Sequence, residues 1–356
     1  MRTILILALL QAAAVAEDLR LTLPPAIYAT PGVEMNLYFA NVVLVERERE
    51  GDLEFSVKCE VGKSDKARWQ LLATESQVGD HRLTLEVKAN GKTERAETIV
   101  RVIPGDAGAE DKIAVLIIGD SLTSGFAYSG EIGRLLGEPG NPGWQMLGTN
   151  RRADGVAHEG YGGWTWKRFR TLFNPENPEP GKLGSSPFVF DNKLDVARYF
   201  DERCDGVRPD FITILLGIND CFHPNPDDPA AIDARIDLMV AEAEPLLAAI
   251  RKAAPEAEIG IGLTTPGNVR DAAFVANYKD RYTRWGWRRI QHRVVEREIE
   301  QFGGREAEGI FLIPTQLNLD CDAGYPDNNG VHPNSIGYAQ IGATIYSWLK
   351  WRLAEN

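Results

Sequence analysis

The chain is poor in the residues that hold small secreted scaffolds or metal centres together. Among 356 residues there are only four cysteines, Cys59, Cys204, Cys221 and Cys321, and only five histidines. Four scattered cysteines are too few for a disulfide-built fold. Widely separated His and Cys give no metal-ligand spacing, so no metal or other cofactor is expected. Basic residues are outnumbered, 39 Lys and Arg against 51 Asp and Glu, for a net charge of -12. That balance excludes a basic face for nucleic acid. Beyond the first residues no apolar run is long enough to span a bilayer. Repeats and low-complexity segments are absent. The start itself differs: Met1-Arg2, an apolar stretch from Thr3 to Ala13, then the small-x-small site Ala14-Val15-Ala16. This pattern is a secretory signal peptide over 1–16, cut after Ala16, so a secreted or periplasmic protein is expected.

What is present changes texture near residue 105. Alternating segments at Leu19–Leu23, Met35–Phe39, Leu53–Val57, Leu83–Val87 and Ile99–Val102 are separated by turn residues such as Pro31-Gly32, Gly79-Asp80 and Asn90-Gly91. Short alternating strands at this spacing predict a β-sandwich over 17–105. Pro104–Glu110 reads as a linker into a second domain, 106–356. There, apolar runs at 113–118, about 154–158, 211–216, 258–263 and 310–314 alternate with helical patterns. The clearest helix covers 229–252, with Asp228 as N-cap, Pro229 at the first position and an expected kink at Pro245. Further helices are expected over about 275–302 and 334–353. Strands alternating with helices predict a parallel sheet covered on both faces.

The run Ala114–Ile118 ends at Gly119-Asp120-Ser121. Reacting groups in open α/β sheets gather at the carboxyl ends of strands, which makes Ser121 a candidate nucleophile. A serine esterase also needs a base and donors for the oxyanion. His81 lies among the sandwich strands and His292 mid-helix among arginines, while His158 and His223 fall near strand ends. His332 is the strongest candidate base, in the loop Asn329-Gly-Val-His-Pro-Asn334 that runs into the last helix. Asn219, just past the strand 211–216, can aim its amide at a developing oxyanion. Glu159-Gly-Tyr-Gly-Gly-Trp-Thr165 brings the glycines Gly162 and Gly163 to a strand end, and Gly163 can offer its N–H.

Taken together, Gly119-Asp-Ser-Leu122, Gly163 before Trp-Thr, Gly217-x-Asn219-Asp220 and His332-Pro333-Asn334 come in an order that resembles the SGNH (GDSL) hydrolase superfamily. The resemblance covers roughly 112–352. It implies a three-layer α/β/α domain with Ser121 as nucleophile and His332 as base. It also implies an oxyanion hole from the N–H groups of Ser121 and Gly163 and the Asn219 side chain. A Gly-x-Ser-x-Gly elbow is absent around Ser121, which disfavours the α/β-hydrolase fold. One position departs from the pattern: Asn329 stands where the family has the triad Asp. Asp327, Asp322 or Asp320 is left as a replacement, or a backbone carbonyl.

A β-sandwich ahead of such a domain looks like secreted carbohydrate esterases that remove acetyl groups from polysaccharides. Asp120, Gly162 and Trp164 are then counted as substrate-contacting positions, with Trp164 or Trp166 stacking on a sugar ring. A lipase or thioesterase acting on longer acyl chains, and a catalytically weak glycan-binding protein, remain as alternatives. Cys221 and Cys321 both follow strand ends on the catalytic edge, and a disulfide between them is expected to brace the His332 loop.

Overall fold

The computed structural model describes residues 19–45, 53–89 and 91–355. The signal peptide expected over 1–16 falls outside the described residues. The N-terminal region is all β. One sheet orders Ala26–Ala29, Lys92–Val102, Gly79–Ala89 and Glu54–Lys58; a second orders Glu34–Tyr38, Arg68–Leu72 and Lys63–Ser64. Alternation along these strands buries Met35, Leu37, Trp69, Leu71, Leu83, Leu85 and Val87 in one shared core, as a sandwich requires. Gly79-Asp80, expected as a turn, instead begins a long strand.

Two features tie this region to the C-terminal half. Leu317, from that half, is buried within the sandwich core. Asn41 Nδ2 donates to the carbonyls of Gln316 (2.8 Å) and Leu319 (2.7 Å), and Asn36 Nδ2 donates to Asn318 Oδ1 at 2.9 Å. These asparagines are buried, so their hydrogen bonds satisfy groups that water cannot reach.

The C-terminal half is built on parallel strands β1 (Lys112–Gly119), β2 (Gly143–Leu147), β3 (Ala157–Gly160), β4 (Phe211–Leu215), β5 (Glu258–Gly262) and β6 (Ile310–Ile313). Their order is β3-β1-β4-β5-β6, with β2 beside the first half of β1. Val115–Ile118 of β1 are wholly buried, the pattern of a strand covered on both faces. The chain leaves β1 toward β2 and β3 on one side and reaches β4 on the other. The carboxyl end of β1 is therefore a topological switch point, where an open α/β sheet leaves a crevice.

Helices form the outer layers. On one side α1 (Ala127–Leu136) packs against α5 (Ser335–Glu355). On the other, α2 (Pro229–Ala253) packs against the short helices Trp166–Thr171 and Val196–Arg203 and against α4 (Arg284–Phe302). Asp228 caps α2 through the N–H of Ala231, and the helix runs on through Pro245. The helix expected over 275–302 is broken in two. A first piece, α3 (Asp271–Tyr278), ends where Lys279 takes a left-handed φ of 57°, and Thr283 then caps α4 through the N–H of Gly286. β2 was not anticipated: Gly143-Trp-Gln-Met-Leu147 carries no sustained apolar run.

Candidate active site

Gly119 ends β1 because nothing larger fits: a Cβ there would lie 2.0 Å from Thr123 Oγ1. The close approach lets Ser121–Ser124 turn directly off the strand. Asp120 caps that turn, accepting from the N–H of Leu122 at 2.9 Å, and Ser121 occupies the first helical position.

His332 Nε2 lies 2.9 Å from Ser121 Oγ. On the far side of the ring, Nδ1 lies 3.0 Å from Asn329 Oδ1. The same oxygen accepts the backbone N–H groups of Val331 (3.1 Å) and His332 (3.0 Å). Those two donors fix the amide with its oxygen toward the ring, so the ring donates from Nδ1 and Nε2 is left as the acceptor for the Ser121 hydroxyl. The loop is itself held, because Asn268 Nδ2 donates to the carbonyls of Pro326 (2.8 Å) and Asn329 (3.0 Å). Burial lowers the His332 pKa below its ordinary value, with no carboxylate beside the ring to oppose it. None of the other histidines forms this contact. His81 bonds the Gln77 carbonyl, His223 bonds Tyr282, His292 bonds Thr22, and His158 is buried against Phe126.

The acid position is thus filled by Asn329 itself. Asp327 is not the replacement: its side chain is 92% exposed and pairs with Arg270 at 3.4 Å. Asp322 also pairs with Arg270, and Asp320 accepts the N–H groups of Asp322 and Ala323 within its own turn. Each of these carboxylates has a nearer cation or turn to serve.

Three potential donors converge near Ser121. The Ser121 N–H opens a helix and has no intrahelical partner. Gly163 is exposed, with φ of +80°, and its N–H meets no acceptor among the described residues. Asn219 stands on the turn Ile218–Cys221 beyond β4, and its Nδ2 donates to Asp120 Oδ2 (2.9 Å) and to the Trp164 carbonyl (3.1 Å). Both N–H groups of the amide are therefore engaged. Gly162 lies next to the nucleophile, where a Cβ would be 3.9 Å from Ser121 Cβ.

Trp164 and Trp166 are no stacking platform. Both are buried, Trp164 against Tyr161 (ring centroids 4.4 Å) and Phe169 (4.8 Å), Trp166 toward Phe302 (6.4 Å). Apolar ring area was better used in the core. The Cys221–Cys321 disulfide is also not formed. Cys221 Sγ contacts Met239 Sδ at 3.7 Å, and Cys321 Sγ contacts Asn41 Oδ1 at 3.0 Å. Among the described residues no group of three His, Cys, Asp or Glu side chains is placed to hold a metal, and no helix is long and apolar enough to cross a membrane.

Asp120, expected to contact substrate, is instead buried, its carboxylate taken up by the Leu122 N–H and the Asn219 amide, and it joins two further buried carboxylates under the site. Asp120, Asp220 and Glu298 are all buried. Burial raises their pKa values to about 7, about 7 and about 8 respectively. Only the neighbourhood of Asn219 in sequence hinted at Asp220, and nothing marked Glu298, which accepts from Thr264 N (2.8 Å) and Oγ1 (2.7 Å). A carboxyl whose pKa is raised on folding stabilises the fold at low pH, and that stability is lost as pH rises through the folded value. The buried histidines, including His158 and His332, have lowered values and act below pH 6.5 in the opposite sense. Between pH 6.5 and about 8 the carboxyls act unopposed by them. Melting temperature is expected to fall across that window, and Glu298→Gln should flatten the fall; a profile equally steep in the variant would remove Glu298 from the account.

Residues 117–340 match the model of the GDSL-like lipase/acylhydrolase family. The chain belongs to that family. It is accordingly an acyl ester hydrolase of the GDSL type, and its three-layer α/β/α architecture is the one the sequence blocks implied. Similar solved structures include a family 3 carbohydrate esterase of Clostridium thermocellum, 16% identical, with a TM-score of 0.43, covering 68% of this chain and 100% of that one. Another is Est24, a carbohydrate acetylesterase from Sinorhizobium meliloti, 14% identical, TM-score 0.38, covering 67% and 98%. A search of curated proteins finds no match.

Proposed function

We propose that this GDSL hydrolase removes short acyl groups, acetyl above all, from carbohydrate esters, with Ser121 as nucleophile and His332 as base. The observation that carries the catalytic assignment is the chain Ser121 Oγ, His332 Nε2, His332 Nδ1, Asn329 Oδ1, with contacts of 2.9 and 3.0 Å. Ser121 Oγ attacks the ester carbonyl carbon and its proton passes to His332 Nε2. The tetrahedral intermediate collapses, the sugar oxygen leaves with that proton, and an acyl-serine remains. Water then attacks, giving a proton to His332 that returns to Ser121 as the acid departs.

The oxyanion is held by the N–H groups of Ser121 and Gly163 and by Asn219, whose amide leaves the Trp164 carbonyl when substrate arrives; catalytic hydrogen bonds commonly tighten only in the complex. Asn219→Ala should then lower kcat by about 10²-fold, at the lower end of the loss for one oxyanion donor, with Ser121 still labelled by a fluorophosphonate. Unchanged kcat would leave Asn219 as a tie between Asp120 and Trp164 only.

Support for a short acyl group and a polar leaving group comes from the surroundings of Ser121. Gly162 and Gly163 lack side chains, and Lys182 and Asn219 are polar. The β-sandwich ahead of the hydrolase half agrees with a polysaccharide substrate. Secretion belongs to the same proposal and rests on the composition of residues 1–16. The test is acetate release from a panel of acetylated polysaccharides beside a chain-length series of 4-nitrophenyl esters. Preference for acetate over octanoate is expected; the reverse would favour a lipase or thioesterase. Failure of fluorophosphonate to label Ser121 would favour a binding protein on this scaffold.

A further inference from the structure

Two cations stand at the Gly162-Gly163 loop, Lys182 and Arg168. The position a side chain would take at Gly162 is 3.9 Å from Ser121 Cβ and 3.9 Å from Lys182 Nζ, so the ammonium stands within about 8 Å of the nucleophile's Cβ. Lys182 sits on a turn closed by Gly184 N to Gly181 O (3.0 Å). The segment around it is tied back by Ser185 N to Glu179 O (3.1 Å) and Ser186 N to Leu172 O (2.8 Å). Its side chain is exposed, as is that of neighbouring Leu183. Arg168, on the short helix after the glycine loop, reaches the Gly163 carbonyl with Nη1 at 3.5 Å.

Among the described residues neither Lys182 nor Arg168 pairs with a carboxylate. Arg170, two residues along the same helix, pairs with Glu242, and Arg198 and Arg203 pair with Asp191 and Glu179. Acidic residues exceed basic ones by twelve over the chain as a whole. An exposed cation within about 8 Å of the nucleophile's Cβ, with a second at the Gly163 carbonyl, raises the local concentration of anions against the sign of the chain as a whole.

We infer that Lys182 and Arg168 form an anion-recognising edge, and that the preferred ester carries a negative group, a uronate carboxylate or a sugar sulfate, close to the acyl group. The inference rests on the esterase reading above and narrows its substrate class.

A matched pair of acetyl esters isolates the charge: 4-acetoxybenzoate and the neutral 4-acetoxybenzamide. For the wild type, kcat/KM on the anion should fall as NaCl is raised, while the amide is insensitive. Lys182→Gln should cost about 3- to 5-fold on the anion through KM, the size of one exposed pair. Adding Arg168→Gln should bring the loss to about 10-fold, with the amide within twofold throughout. Equal losses on both esters, or none on either, overturns the anion edge while leaving the esterase intact. Should the wild type cleave neither ester, the esterase reading fails. Calorimetric binding of 4-acetoxybenzoate then still decides the edge: an unchanged Kd in the double variant refutes it, a weakened one upholds it. Acetylated oligogalacturonate, an acetylated sulfated galacto-oligosaccharide and neutral acetylated xylo-oligosaccharide separate carboxylate from sulfate. The charged member that loses preference in Lys182→Gln identifies the group, and indifference among all three counts against the inference.

Discussion

Ser121→Ala is expected to lower kcat on a short acyl ester by about 10⁶-fold, the scale seen when the serine of a hydrolase triad is removed. The whole reaction passes through Oγ, the atom 2.9 Å from His332 Nε2. Nothing else in the site replaces it: Ser124 Oγ, three residues on, is turned to the Ser121 carbonyl at 3.1 Å. The fold should be unaffected. Ser121 is half-buried, its hydroxyl bonds the ring and no other group among the described residues, and the turn is held by Asp120, Gly119 and Thr123 rather than by Oγ. A residual rate over water is expected from the oxyanion donors alone. Kinetics, fluorophosphonate labelling and a melting curve on the same preparation check all three statements. Wild-type turnover in the variant would move the nucleophile elsewhere.

Much of this site was legible because its chemistry sits at the ends of apolar strands. β1, β4, β5 and β6 are uninterrupted enough to be read directly, and Ser121 and Asn219 follow two of them within a few residues. His332 stood out because Pro333 and the following helix frame it. Side-chain direction was not legible. Trp164 follows a glycine loop at the catalytic edge, yet the chain turns it inward onto Tyr161 and Phe169. Asp327 is two residues from Asn329, but its side chain points to Arg270, which is brought in from a segment some sixty residues earlier. Lys182 lies in a stretch with no motif, and only the path of the chain from Leu172 back to Ser186 carries it to the rim. The break between α3 and α4 likewise has no glycine or proline to announce it; Lys279 accepts a backbone conformation that its own side chain disfavours.

Asn329→Asp is expected to raise turnover, by about 10²–10³-fold, and to move the acid limb of the pH profile upward. In a protease triad the change from Asp to Asn costs about 10⁴, because the amide selects the wrong tautomer of the histidine. That loss does not apply here. Val331 N–H and His332 N–H both bond Asn329 Oδ1, and a flipped amide would set its own N–H groups against two backbone donors and the ring. The tautomer is already the productive one. What Asn cannot supply is charge for the imidazolium that forms as Ser121 attacks. A carboxylate at about 4 Å from a cation contributes about 4 kcal/mol in an effective dielectric near 20, or roughly 10³ in rate. The cost of holding that carboxylate in a half-buried loop takes back part of it. The pH dependence has a definite sign. Burial alone now lowers the His332 pKa below 6.5, so the neutral base survives into acid. A carboxylate favours the protonated ring, raises that pKa, and causes kcat/KM to begin falling at higher pH as the solution is acidified. The plateau should therefore rise while its acid edge retreats toward neutrality, and both are read from one set of pH-rate curves on a 4-nitrophenyl ester. A variant with lower turnover and an unmoved acid limb would mean that the Asn329 oxygen does not orient the working histidine, and the base would have to be sought elsewhere.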